Sequence, residues 1–118
     1  MPTKQPPLRA APAQLLEDLG SRLRAARLRR NFPALTVAAR ARISRTTLFR
    51  AEQGHPAVAL GTLLRILQVL GLEQDLARIA SDDVVGRRLQ DLGLPIRARA
   101  SSPRRPKPPQ DTGRSGAR

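Results

Sequence analysis

The sequence predicts an all-α fold, a bundle of about five short helices framed by two non-helical ends. Three observations predict it. Apolar residues between Leu16 and Leu70 recur at spacings of three and four, the period of one face of a helix. Gly54 and Gly71 stand directly behind such runs, where a helix end commonly takes a left-handed residue. Proline gathers at Pro2, Pro6, Pro7 and Pro12 and again beyond Leu94, so regular helix is expected between these ends.

Taken in order, residues 1–12 read as a flexible lead-in, and a first helix starts near Ala13. Leu16, Leu19, Leu23 and Ala26 form its apolar stripe, while Arg22, Arg29 and Arg30 face elsewhere. Phe32, just before Pro33, is expected in the core. The stretch from Ala38 to Gly54 reads as two short helices joined by a tight turn. Ser44 is a good N-cap for the second of them. With about 100° between successive residues, Leu48 and Ala51 fall on one side of that helix. Arg45, Thr46, Phe49 and Arg50 fall on the other, so the helix is short, exposed on one face, and basic there. A fourth helix runs from about Leu60 to Leu70 with Leu60, Leu63, Leu64, Leu67 and Leu70 on a core stripe. Glu73 to Ala80 can form a short helix with Leu72, Leu76 and Ile79 apolar. Asp82 to Leu92 can form another, with Asp83 near its start and Val85, Leu89 and Leu92 on one face. These last two either pack locally or offer a dimer or partner surface. The expected organisation is therefore a lead-in at 1–12, a domain at 13–80, a short helical extension at 81–93 and a tail at 94–118.

At 118 residues the chain has room for one core and not two. Its formal charge of +13 points to a polyanionic partner, most commonly nucleic acid. The charge is unevenly placed: between Gly20 and Arg50 there are nine arginines and no acid. The acids collect at Glu17 and Asp18, Glu73 and Asp75, and Asp82 and Asp83. Nearly all the bases are arginine, whose planar fork engages phosphate and guanine at two points. Beyond Leu94 the composition turns to Arg, Pro and Ser with one acid, Asp111. Such a segment cannot offset its ordering entropy and is expected to be disordered alone. It is a solvated tail, a non-specific DNA arm, or a segment that folds on a partner.

Catalysis is not expected. There is no cysteine for a nucleophile, disulfide or thiolate metal site, and the lone histidine, His55, rules out a histidine cluster. His55 reads as a loop residue or a phosphate contact. Asp82 and Asp83 point about 100° apart on a helix, so they are helix-start charges rather than a working pair. No Gly-rich phosphate loop is present, and neither a metal nor a cofactor is expected. The most apolar stretch, Val58 to Leu72, is too short to cross a bilayer and is broken by Arg65 and Gln68. A cytoplasmic protein is expected.

The order Val37, Ala38, Ala41, Ile43, Ser44, Leu48, Glu52 and Gly54 resembles the helix-turn-helix of the XRE (Cro/CI-type) DNA-binding family, and so implies a lambda-repressor-like bundle. The resemblance extends upstream through LGSRLRAARLRRNF and downstream through VALGTLLRILQVLGL, from Leu19 to Leu72. It implies a structural pair between Arg27 and Glu52, and a second motif helix that enters the major groove. Arg45, Thr46, Phe49 and Arg50 are then the base-reading candidates. Arg45 and Arg50 suit guanine O6 and N7, and Thr46 a base, phosphate or thymine methyl. Phe49 either packs on a thymine methyl or folds back on the domain. Ala34, Arg42, Ser44, Gln53 and Thr62 lie where the family meets the DNA backbone.

The chain departs from the family pattern in three places. Pro33 and Ala34 stand where a capping Ser or Thr and a phosphate-binding Gln are usual. Arg42 stands where the turn usually has glycine, so it must take positive φ or the turn must open. Ala59 and Gly61 replace a capping Ser and a Glu at the next helix. The expected function is a sequence-specific double-stranded DNA-binding regulator, a repressor acting as a homodimer on an inverted repeat. The alternative is an antitoxin, because the short acidic helix and Arg/Pro-rich tail resemble HipB-type antitoxins, which also bind a kinase-like toxin.

Overall fold

The computed structural model describes residues 6–93; the expected tail at 94–118 lies outside them. The helix periods of the sequence resolve into α1 (Ala10–Arg29), α2 (Ala34–Ala41), α3 (Arg45–Glu52), α4 (Leu60–Leu70), a 3-10 turn (Glu73–Arg78) and α5 (Val84–Asp91). No strand occurs among the described residues. The chain divides into two compact units between Asp82 and Asp83, two residues after the expected boundary at 80. In the first unit, α2 packs on both α3 and α4, and α1 packs on α3.

Each helix contributes a few side chains to one core. Leu23 and Ala26 come from α1, Val37, Ala38 and Ala41 from α2, Leu48 and Ala51 from α3, and Ile66, Leu67 and Leu70 from α4. Phe32 is partly buried against this core, as are Leu19, Leu72 and Leu76. Ala38 lies between helices where α2 meets its neighbours, and is 2% exposed. A larger side chain there would force close-packed elements apart.

Helix ends follow one rule. The residues after α1, α2, α3 and α4 include Asn31, Arg42, Gly54 and Gly71, all at positive φ. Past each, a backbone N–H reaches back five residues: Phe32 to Arg27 O, Ile43 to Ala38 O, His55 to Arg50 O and Leu72 to Leu67 O, at 2.8–3.2 Å. These bonds satisfy carbonyls that a helix end leaves open. Arg42 therefore takes positive φ, at 60°, and the turn does not open.

Several details differ from the sequence expectation. Helix α1 begins at Ala10 rather than Ala13, so the lead-in of 1–12 is shortened by its last three residues. Pro12 is tolerated because it occupies the first turn, where its missing N–H has no partner to lose. On α4 the buried face is centred on Ile66, Leu67 and Leu70, while Leu60 is 68% exposed and Leu64 also faces outward. The contact with α2 sets that face, not the longest run of leucines. Glu73 to Ala80 forms a 3-10 turn that ends at Arg78; Ile79 is extended and its side chain points out.

In the second unit, α5 is shorter than the expected Asp82–Leu92. The Asp83 side chain caps it, accepting the Gly86 N–H at 2.9 Å. Val84, Val85, Leu89 and Leu92 are exposed.

Candidate nucleic-acid interface

The site is built on α3, and its N-terminus explains why the helix starts where it does. Ser44 is extended at φ −75°, and its Oγ accepts the Thr47 N–H at 3.0 Å. The Ser44 and Thr47 hydroxyls share a second hydrogen bond at 2.9 Å. One hydroxyl proton remains between them for an outside acceptor such as a phosphate oxygen. The pattern marked Ser44 for the DNA backbone; Thr47 went unmarked, although an i, i+3 hydroxyl pair at an N-cap is a readable signal.

From that start, the rotation of about 100° per residue sorts the helix. Leu48, Ala51 and Glu52 are buried, while Arg45, Thr46, Phe49 and Arg50 are exposed and share an arc of about 140°. Phe49 is 62% exposed and does not fold back on the domain. An aromatic ring thus stands in solvent on the same helix face as Arg45 and Arg50.

Two features hold this face rigid. The first is the ion pair between Arg27 of α1 and Glu52 of α3. Arg27 Nε donates to Glu52 Oε2 at 2.7 Å and an Arg27 Nη donates to Oε1 at 3.0 Å. The other Nη donates to the carbonyl of Phe32 at 3.1 Å, tying in the loop before α2. Both residues are buried, and the hydrogen bond to Glu52, against the opposing effect of burial, raises the Arg27 pKa above its ordinary value. The second is a backbone approach. A Cβ on Gly20 would lie 2.5 Å from the Glu52 carbonyl oxygen and 2.7 Å from the Gly54 nitrogen, so α1 passes directly over the end of α3. Gly54, at φ 76°, sits equally close to the backbone of Leu16 and Glu17. Gly20 was missed in the sequence, though a glycine inside a helix commonly marks such a contact.

The backbone candidates come from the start of α2, the turn before α3, the end of α3 and the start of α4. Arg42 is exposed in the turn, and Gln53 is exposed at the end of α3. Ala34 opens α2 and Thr62 lies in the first turn of α4; both are half-buried. Neither Pro33 before α2 nor Ala59 before α4 supplies a side-chain cap. The first N–H groups of both helices are therefore free to donate outward. Ala34, which has no polar side chain, can reach a phosphate only through such an N–H. None of Arg42, Arg45 and Arg50 makes an ion pair among the described residues. His55 lies in the loop after α3, where its Nδ1 accepts the Ala57 N–H at 3.0 Å.

Among the described residues no group of His, Asp and Glu could hold a metal ion, and no described helix is long and apolar enough to cross a membrane. The family model described as a helix-turn-helix domain matches residues 18–79, more than half of the chain. No curated protein matches it.

Proposed function

Because the chain belongs to the helix-turn-helix domain family of DNA-binding regulators, we propose that it is a sequence-specific repressor of the XRE (Cro/CI) type. It acts in the cytoplasm, as a homodimer on an inverted repeat, by occupying its site rather than by catalysis. One observation carries this reading: the exposed arc of Arg45, Thr46, Phe49 and Arg50, backed by buried Leu48 and Ala51 and locked to α1 through Arg27 and Glu52.

In this mechanism α3 lies in the major groove with its N-terminal half toward the base edges. Arg45 and Arg50 each bind guanine O6 and N7, worth about 1–3 kcal/mol of discrimination apiece. Thr46 contacts a base or a thymine methyl, and Phe49 packs on a thymine methyl. Arg42, Gln53, the Ser44–Thr47 hydroxyl pair and the free N–H groups at Ala34 and Thr62 set the register on phosphates. A single domain of this size covers few base pairs, so two copies related by symmetry read two half-sites.

Selection of bound duplexes from a random pool tests the reading. It predicts a symmetric motif bound by two chains, and Arg50→Ala relaxing preference at one base pair per half-site. An Arg50→Ala profile identical to that of the unaltered protein would remove the base-reading role.

The amphipathic α5, with its apolar residues exposed, supports a second reading as a HipB-like antitoxin that neutralises a kinase-like toxin and represses its own operon. A kinase-like reading frame beside the gene, whose product co-purifies with this chain, would favour it over the stand-alone repressor.

A further inference from the structure

A second basic site lies away from the exposed arc of α3, between the C-terminal end of α2 and the C-terminal half of α4. It is an open groove of about 350 Å³ lined by Arg40, Ala41, Arg42, Arg65, Gln68 and Val69. Three arginines line it, one from α2, one from the turn after it and one from α4, and no acid does. None of the three makes an ion pair among the described residues. Like charges brought together without a counter-charge repel one another, and an anion placed among them relieves that repulsion.

Two of these arginines have a further feature each. The Arg40 guanidinium stands 5.3 Å from the centroid of the Phe32 ring, which braces it as a cation over an aromatic face. Arg42 occupies φ 60°, a conformation that costs an L-residue energy and that glycine takes freely. The floor offers little apolar anchorage, since Ala41 is buried and Val69 half-buried. The chemistry suits a phosphate gripped by planar forks better than a folded polypeptide.

We propose that this groove binds a phosphate of the DNA backbone flanking the bases read by α3, with Arg40 and Arg65 as its ligands. The proposal rests on the reading of α3 as the base-reading helix. Arg42, three residues before Arg45, joins the two surfaces. The consequence is a footprint extending beyond the recognition contacts, with affinity there independent of sequence.

The test uses the full chain and two duplexes of equal length: one recovered by selection from random DNA, and one of scrambled sequence. Affinity is measured across a potassium chloride series for the unaltered protein, for R40Q/R65Q, and for R22Q/R29Q, which removes the same charge from α1. Far-UV circular dichroism checks that each is folded. R40Q/R65Q is expected to lose about 0.9 of salt slope per arginine on both duplexes, with the preference for the selected duplex retained. The R22Q/R29Q pair should lose clearly less, and R40K/R65K should recover most of the slope. An unchanged slope, or an equal fall in R22Q/R29Q, would overturn the proposal. So would weakened binding of a polyglutamate peptide by R40Q/R65Q with the DNA slope intact, which would mark the groove as a site for acidic polypeptide. If the unaltered protein selects no sequence at all, the base-reading assignment fails and takes this proposal with it. If it selects one and only the slope test fails, the groove proposal alone is lost.

Discussion

Replacing Gly20 by alanine sets two effects of opposite sign against each other. Gly20 lies inside α1, and helix propensity alone makes Gly→Ala there favourable by about 0.5–1 kcal/mol. The added methyl, however, would stand 2.5 Å from the Glu52 carbonyl oxygen, 2.8 Å from its carbon and 2.7 Å from the Gly54 nitrogen. Ordinary contact between such atoms needs about 3.3–3.6 Å, so α1 and the end of α3 must part by roughly 1 Å. All three obstructing atoms are backbone, so no rotamer change relieves the clash. Overpacking of this kind costs about 1–3 kcal/mol. The rigid neighbours put Gly20→Ala at the upper end, for a net destabilisation of about 2–2.5 kcal/mol. The same separation pulls Glu52 away from Arg27 and tilts the exposed face of α3. Gly61→Ala is the internal control, because a Cβ at Gly61, in the first turn of α4, meets nothing within 4 Å. That change should stabilise by up to about 1 kcal/mol. Urea denaturation at constant m-value reads both. If Gly20→Ala is as stable as the unaltered protein, or more so, the close approach of α1 to α3 is wrong.

The other predictions concern the same framework. Glu52→Gln leaves the buried Arg27 without its counter-charge and should cost about 3–5 kcal/mol, read as a fall in the urea midpoint; a loss under 1 kcal/mol would show the pair to be dispensable. Arg42→Gly relieves the positive φ and should stabilise by about 1 kcal/mol, while weakening binding to every duplex tested. Stability and affinity would thus move in opposite directions, and a fall in both would refute the strain argument. Ser44→Ala removes the cap on α3 and should cost about 1 kcal/mol without shifting which bases are preferred, as checked by melting and by repeated selection.

Much of this architecture was legible because it depends on local chemistry. The period of three and four, the N-cap at Ser44 and the glycines at 54 and 71 act within a few residues of where they are written, and α4 falls at the expected Leu60–Leu70. The opposition of Leu48 and Ala51 to Arg45, Thr46, Phe49 and Arg50 needs only helix geometry. Local signals misled where they compete. Pro12 suggested a coil but stands in a first turn, which tolerates it. Leu60 and Leu64 read as core because leucine is apolar, yet they face outward.

By itself the sequence determined the helical class, the order of the helices, the uncapped starts of α2 and α4, and the basic face of α3. Each follows from the preferences of neighbouring residues and the rotation of a helix. Only the tertiary structure decided which face of α4 is buried, that Gly20 is a contact point, that Arg40 rests on Phe32, and that Arg40, Arg42 and Arg65 share one groove. Those facts relate residues that the sequence separates, and they are set by how close two helix backbones come.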